Sequence, residues 1–222
     1  MFDLDAYRDF GHSCTLRALF PGQASELLAT IDRDVLSNDG PDVRSRTQSR
    51  HLDSAALAKL CNSPSITSAV HDVLGPHIVL WRSNIFNKLP GAPELPWHRD
   101  SSIWRDLLTP MVNVTAWVAL TSTTLSNGCI EFIPGSHRVT YRNERFNQQY
   151  PQLPEEETDR SLSIPLEPGQ FILFDSTTLH RSGPNLSNER RLGVAIRFTL
   201  PTVKICQDQR LFDGYKSISI QR

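Results

Sequence analysis

The stretch LPWHRDSSIW, residues 95–104, sets an imidazole and a carboxylate, His98 and Asp100, two positions apart behind a Leu-Pro-Trp lead. In a strand such positions share a face, so the two side chains would project into one space. That suits a metal ion, and it equally suits an ordinary hydrogen-bonded pair. A distant histidine changes the balance. His180 follows the apolar run of GQFILFDSTTL, at what reads as the end of that strand, and a polar, turn-rich segment comes after it. Two histidines and a carboxylate suit Fe(II), and three ligands on one face leave the other positions to substrate and oxygen. Arg191 stands eleven residues beyond His180, where the last apolar strand begins. An arginine buried against a metal pocket is costly unless an anion pairs with it. A dicarboxylic co-substrate supplies that anion, one end chelating the metal and the other bridging the guanidinium. Spacing alone does not separate Arg191 from Arg190, and neighbouring Arg197 shows that arginine is common in this stretch.

These groups need elements to hold them. From residue 77 the pattern is that of strands. HIVLWRSNIFNKL is β-branched and aromatic, and VNVTAWVALT alternates Val112, Val114, Ala116 and Val118 against Asn113, Thr115, Trp117 and Ala119. GCIEFI, SLSIPL, GQFILFD and LGVAIRFTL follow, separated by Pro/Gly turns. Many short strands so divided predict a sandwich or jelly roll. The first third reads as helical. Leu27, Leu28, Ile31 and Val35 share one helical face, and NSPSITSAVHDVLG has Ser63 as N-cap, Pro64 in the first turn and Gly75 as the stop. The polar stretch 138–160, with the acidic run EEETD at 155–159, reads as a solvated loop, long enough to be a lid or binding loop.

The bulk numbers narrow the function. The 222 residues are most simply one domain, 39% of them apolar, enough for a substantial core. A formal net charge of −1 gives no reason to expect nucleic acid as a partner. No apolar run approaches the ~20 residues that span a bilayer, and the acidic start lacks the regions of a signal peptide. Cys14, Cys61, Cys129 and Cys206 are far apart with no C-x-x-C, the pattern of reduced thiols in a cytoplasmic protein. No signature of an oligomeric state is present.

The run W-H-x-D, then TAWVAL, then NGCIEFIPGSH, then H-R-S-G-P-N-x-S…R-R-x-G…R-F resembles the phytanoyl-CoA dioxygenase family over roughly residues 77–200, with a helical lead-in that also fits. The resemblance implies a mainly β fold, a double-stranded β-helix (jelly roll) with packed N-terminal helices: one domain over 1–222, with a helical lead-in and lid segment over 1–76 and a jelly-roll core over 77–200. It implies Fe(II) held by His98, Asp100 and His180, with 2-oxoglutarate as co-substrate and O2 as oxidant. It selects Arg191 for the distal carboxylate of 2-oxoglutarate, with Trp117, Ser182 and Lys88 beside it. Asn84 and Thr115 join the pocket by strand parity, and Trp97 and Trp104 either pack or line the substrate cavity. His137, in the PGSH turn, and Asp175 are expected to stay off the metal.

The activity expected is an oxidative one on a small organic molecule. Halogenating relatives lack the carboxylate, so Asp100 makes hydroxylation the default outcome. Desaturation, ring closure and epimerisation start from the same hydrogen removal. The rivals are a cupin-type isomerase or lyase, in which Arg191 and Trp117 would be incidental, and a non-catalytic jelly-roll binding protein. Arg44, Arg46 and Arg50, in the polar segment 38–53, are candidates for a lid that would grip an anionic substrate, although Asp39, Asp42 and Asp53 nearly cancel their charge.

Overall fold

The computed structural model describes residues 2–37, 47–139, 151, 153–206 and 218–221. Among the described residues, four α-helices lead the chain in. α1 (Leu4–Phe10) is capped by Asp3, whose carboxylate accepts from Ala6 N at 2.9 Å, and it stops at Gly11 with φ of 78°. α2 (Pro21–Ile31) runs on as a wider turn over Asp32–Leu36. α3 (Ala55–Cys61) and α4 (Pro64–Leu74) follow. Ser63 occupies the expected N-cap position of α4, without a side-chain capping bond, and Gly75 ends that helix with φ of 92°.

The strands form two antiparallel sheets and a small ribbon. The large sheet has the order β1-β8-β5-β10-β2-β12, built from β1 (Leu16–Arg17), β8 (Gln170–Asp175), β5 (Val114–Ala119), β10 (Arg191–Thr199), β2 (His77–Lys88) and β12 (Ile218–Gln221). The small sheet has the order β3-β9-β6-β7, from β3 (Leu95–His98), β9 (His180–Ser182), β6 (Ile130–Phe132) and β7 (Leu162–Ile164). β4 (Leu108–Thr109) pairs with β11 (Lys204–Ile205). This is the jelly roll expected from the strand pattern.

Period-two alternation divides the core. Val114, Ala116 and Val118 of β5 join Val194 and Ile196 of β10 on the face that packs against Leu27, Ile31, Leu57, Ile66 and Val70 of the helices. The alternate residues face the small sheet: Trp117, Ala119, Phe174 and Ala195 meet Ile130 and Phe132 of β6. The helices therefore back the large sheet, and its other face is left to close over the site.

Three local expectations are corrected. Asp100 does not continue the strand of His98: β3 ends at His98, and Asp100 opens a one-turn helix, α5 (Asp100–Ile103). Nor does His180 end the strand of GQFILFD. That strand, β8, stops at Asp175, whose carboxylate caps a turn through Thr177 N at 2.7 Å, and His180 begins β9 in the other sheet. EEETD holds a short helix, α6 (Glu155–Thr158), in place of a loop, its three acidic residues lying in the first turn, where the helix dipole favours them. Most of the polar stretch, 140–150 and 152, lies outside the described residues.

Candidate metal centre

β3 and β9 pair so that His98 lies opposite His180 in register, with ring centroids 4.2 Å apart. Asp100 reaches the same space by a different route. Arg99 swings out of the strand, and its guanidinium donates to the carbonyls of Ser136 at 3.0 Å, Val139 at 2.9 Å and Thr177. The chain then turns into α5, where Ser101 N donates to Ser176 O at 2.8 Å and Trp104 N to Asp100 O at 2.9 Å. One donor atom from each of His98, Asp100 and His180 lies within 4.8 Å of the others, and all three residues are buried.

Hydrogen bonds fix which atoms are offered. His98 Nδ1 donates to Pro96 O at 2.7 Å, and His180 Nδ1 to Thr178 O at 2.9 Å. Each of these bonds selects the tautomer that carries its lone pair on Nε2, the atom a metal would use. Burial pushes His180 down to about 3, helped by the His98 ring, and it lowers His98 as well. Both imidazoles are therefore neutral, as metal ligation requires. Burial alone would raise Asp100, but the Arg197 guanidinium against it outweighs burial and keeps the carboxyl ionised. The donor set is two neutral nitrogens and one anionic oxygen, which fits a ferrous ion.

One cavity is lined by the triad together with Trp117, Ser182 and Arg191. Arg191, at the start of β10, is 4% exposed; its guanidinium lies 5.2 Å from the Trp117 ring centroid, and among the described residues its Nε has no hydrogen-bond partner. Burial pulls its pKa down to about 10. A buried cation that lines a cavity and keeps a donor unspent calls for an anion, and a carboxylate meets that need. Arg190, by contrast, turns outward and grips Asp32 through both of its terminal nitrogens, at 2.7 Å for the first. The two neighbours that spacing could not separate are thus distinguished by strand parity. Lys88, at the end of β2, donates to Ser182 Oγ at 3.0 Å and to the carbonyls of Ser182 and Gly183. Burial and then Arg191 depress Lys88 to about 8.

Of the remaining sequence candidates, Thr115 and Asn84 reach the triad through Asp100 and Arg197 without lining the cavity, and the others lie elsewhere. Thr115 donates to Asp100 Oδ2 at 3.0 Å, and Asn84 Oδ1 accepts from Arg197 at 2.8 Å. Trp97 packs with Ile133 and Leu179, with Arg181 over its ring, whereas Trp104 underlies Arg82 and Arg197. His137 bonds to Arg8 O at 2.9 Å, away from the triad. Arg50 pairs with Asp53 at 2.9 Å, while Arg44 and Arg46 lie outside the described residues. The group that sequence reasoning passed over is Arg197, a buried partner of Asp100. It shares the parity of Arg191 and is the lone charge within LGVAIRF, a signal that was available.

The model of the phytanoyl-CoA dioxygenase family matches residues 4–193. Ectoine dioxygenase of Nocardia farcinica is 27% identical over 220 residues, an alignment covering 85% of this chain and 74% of that protein. Peroxisomal phytanoyl-CoA dioxygenase of Homo sapiens is 23% identical, over 64% of this chain and 45% of its own length. The chain thus spans about three quarters of the first relative and less than half of the second. Among solved structures, the epimerase SnoN in complex with Fe3+, alpha ketoglutarate and nogalamycin RO is similar with a TM-score of 0.80 and 22% identity, over 94% of this chain and 87% of that one.

Proposed function

The chain belongs to the phytanoyl-CoA dioxygenase family, and from that premise we propose that it hydroxylates an unactivated C–H bond of a small organic molecule while 2-oxoglutarate is decarboxylated to succinate. As a member of that family it is a 2-oxoglutarate-dependent non-haem iron dioxygenase, taking Fe(II), 2-oxoglutarate and O2. The observation that carries the finer reading is the buried His/Asp/His triad sharing a cavity with a buried guanidinium whose Nε has no hydrogen-bond partner among the described residues.

In this reading His98, Asp100 and His180 hold the iron and Arg191 binds the distal carboxylate of 2-oxoglutarate. Trp117 walls that subsite, and Lys88 with Ser182 supplies donors beside it. Bound iron supplies the oxidising chemistry that removes hydrogen from the substrate. The chain's own residues orient and seal. The apolar contacts of Trp117, Ala195, Phe174 and Ile130 exclude water from the cavity, which strengthens every charge interaction inside it. Asp100 favours hydroxylation over halogenation, because it occupies the position that a halide would need. The helices and the jelly roll act as one domain, since a shared apolar core joins them. Four unpaired cysteines fit a cytoplasmic setting, and no helix among the described residues is long and apolar enough to cross a membrane.

The test is turnover. With Fe(II) and 2-oxoglutarate in air, the protein should release succinate slowly, and faster when small organic candidates include its substrate, which should gain one oxygen atom. Metal binding without any succinate, across the panel, would instead indicate a non-oxidative jelly-roll enzyme.

A further inference from the structure

We propose that Arg197 is a positioning residue that holds Asp100 as a one-oxygen metal ligand. The inference rests on the reading of His98, Asp100 and His180 as the iron site. Oδ2 of Asp100 receives two donors, Arg197 Nε at 3.3 Å and Thr115 Oγ1 at 3.0 Å. Oδ1 is the oxygen turned to the histidines, 4.0 Å from His180 Nε2. A carboxylate so divided offers one oxygen to a metal and spends the other on the protein. That leaves the metal's further positions for incoming ligands, where a two-oxygen grip would take one of them.

The donors are themselves anchored. Arg197 Nη1 donates to Asn84 Oδ1 at 2.8 Å, and the guanidinium lies 5.1 Å from the centroid of Trp104. Thr115 Oγ1 accepts from Asn113 Nδ2 at 3.1 Å, and Asn113 Oδ1 accepts from the fully buried Trp81 indole at 2.7 Å. The carboxylate is thus fixed from β10 and β5 at once, two strands paired with Arg197 opposite Thr115. This bracing compensates for the place where Asp100 stands, on a one-turn helix outside the sheet ladders. Arg197 is 4% exposed and Asp100 2%, so the contact is dry and its geometry is held.

A plain counter-charge predicts the opposite of a positioning role. If Arg197 merely neutralised Asp100, an arriving dication would take over that task, and removing the guanidinium would leave metal binding unchanged or tighter. If it aims the carboxylate, its loss weakens binding by about tenfold or more, the range seen for residues that orient metal ligands. The experiment compares wild type, Arg197→Met, Arg197→Lys, Thr115→Val and Asp100→Asn by anaerobic Fe(II) titration. Far-UV circular dichroism accompanies it, together with the visible charge-transfer band of the Fe(II)–2-oxoglutarate complex. Arg197→Met should bind Fe(II) at least about tenfold more weakly with a displaced band. Arg197→Lys should not restore the band, because one ammonium cannot reach Asp100 and Asn84 together. Thr115→Val, which removes the other donor without touching charge, should shift the band in the same direction and keeps the test open should Arg197→Met fail to fold. In the Asp100→Asn background the effect of Arg197→Met should disappear. Folded Arg197→Met and Thr115→Val variants with wild-type affinity and band would overturn the inference and leave the iron site standing. A wild-type protein that binds no Fe(II) would overturn the iron reading itself.

Discussion

Arg191 and Arg190 are adjacent in sequence and opposite in environment. Arg191 is buried over Trp117 with an Nε that no described residue partners, whereas Arg190 makes a half-exposed pair with Asp32. Removing one member of a buried charge pair costs about 3–5 kcal/mol, so Arg191→Ala should weaken 2-oxoglutarate binding by at least about a hundredfold. Arg190→Ala loses only a surface pair worth within about 1 kcal/mol of stability, and its affinity for 2-oxoglutarate should match wild type. Calorimetric titration of 2-oxoglutarate into the two variants checks this; the reverse order would show that Arg190 holds the co-substrate. His98, Asp100, His180 and Trp117 were legible because residue type and motif order carried them. Arg197 was passed over although its place as the lone charge in LGVAIRF marked it, because its partner Asp100 lies 97 positions away and only the closed fold brings the two together.

The strands explain why so much of the site could be read at all. Two-residue periodicity in β5 and β10 sends alternate side chains to the helices and to the inner face, so strand parity put Thr115 on the side of Asp100, to which it donates, although not on the cavity lining. It failed at His98 and Asp100. They share a site because the chain leaves β3 and enters α5, with Arg99 tied into three carbonyls between them. The same limit hid the break between β8 and His180. Turns made by side-chain bonds, such as Asp175 to Thr177, leave little trace in apolar periodicity. A prediction belongs at this scale. A Cβ on Gly193 would collide with the six-membered ring of Trp117 across the β10–β5 ladder. Gly193→Ala should displace that ring, raise the KM for 2-oxoglutarate several-fold, and lower Tm by a few degrees through overpacking. An unchanged KM would remove Trp117 from the co-substrate subsite.

Across the whole molecule, four buried histidines share one electrostatic condition. His12, His51, His98 and His180 are all pushed below their ordinary value of 6.5, His51 to about 4 and His180 to about 3, with burial the leading cause. Below pH 6.5 the unfolded chain takes up protons that the folded chain refuses, so stability must fall with pH. The metal-free protein should therefore lose Tm steadily from pH 7 to pH 4.5, by differential scanning calorimetry, and a flat profile would contradict the neutral assignment. Asp100 contributes in the same sense at lower pH, since a depressed carboxyl loses its advantage only below its ordinary value of 3.8. The overall architecture was legible from strand count, turn spacing and the helical lead-in. Whether a polar segment acts as a lid was not legible, because such a segment records solvation and says nothing of what it covers: Arg50 pairs with Asp53, and 38–46 and 140–150 lie outside the described residues. The account's central claim is that His98, Asp100 and His180 form one iron site that works with 2-oxoglutarate. Anaerobic addition of Fe(II) and then 2-oxoglutarate, followed by visible absorption, tests it most directly. Wild type should bind one Fe(II) per chain and develop a weak charge-transfer band on adding 2-oxoglutarate, and His180→Ala, still folded by circular dichroism, should do neither. Full iron occupancy and the same band in His180→Ala would contradict it.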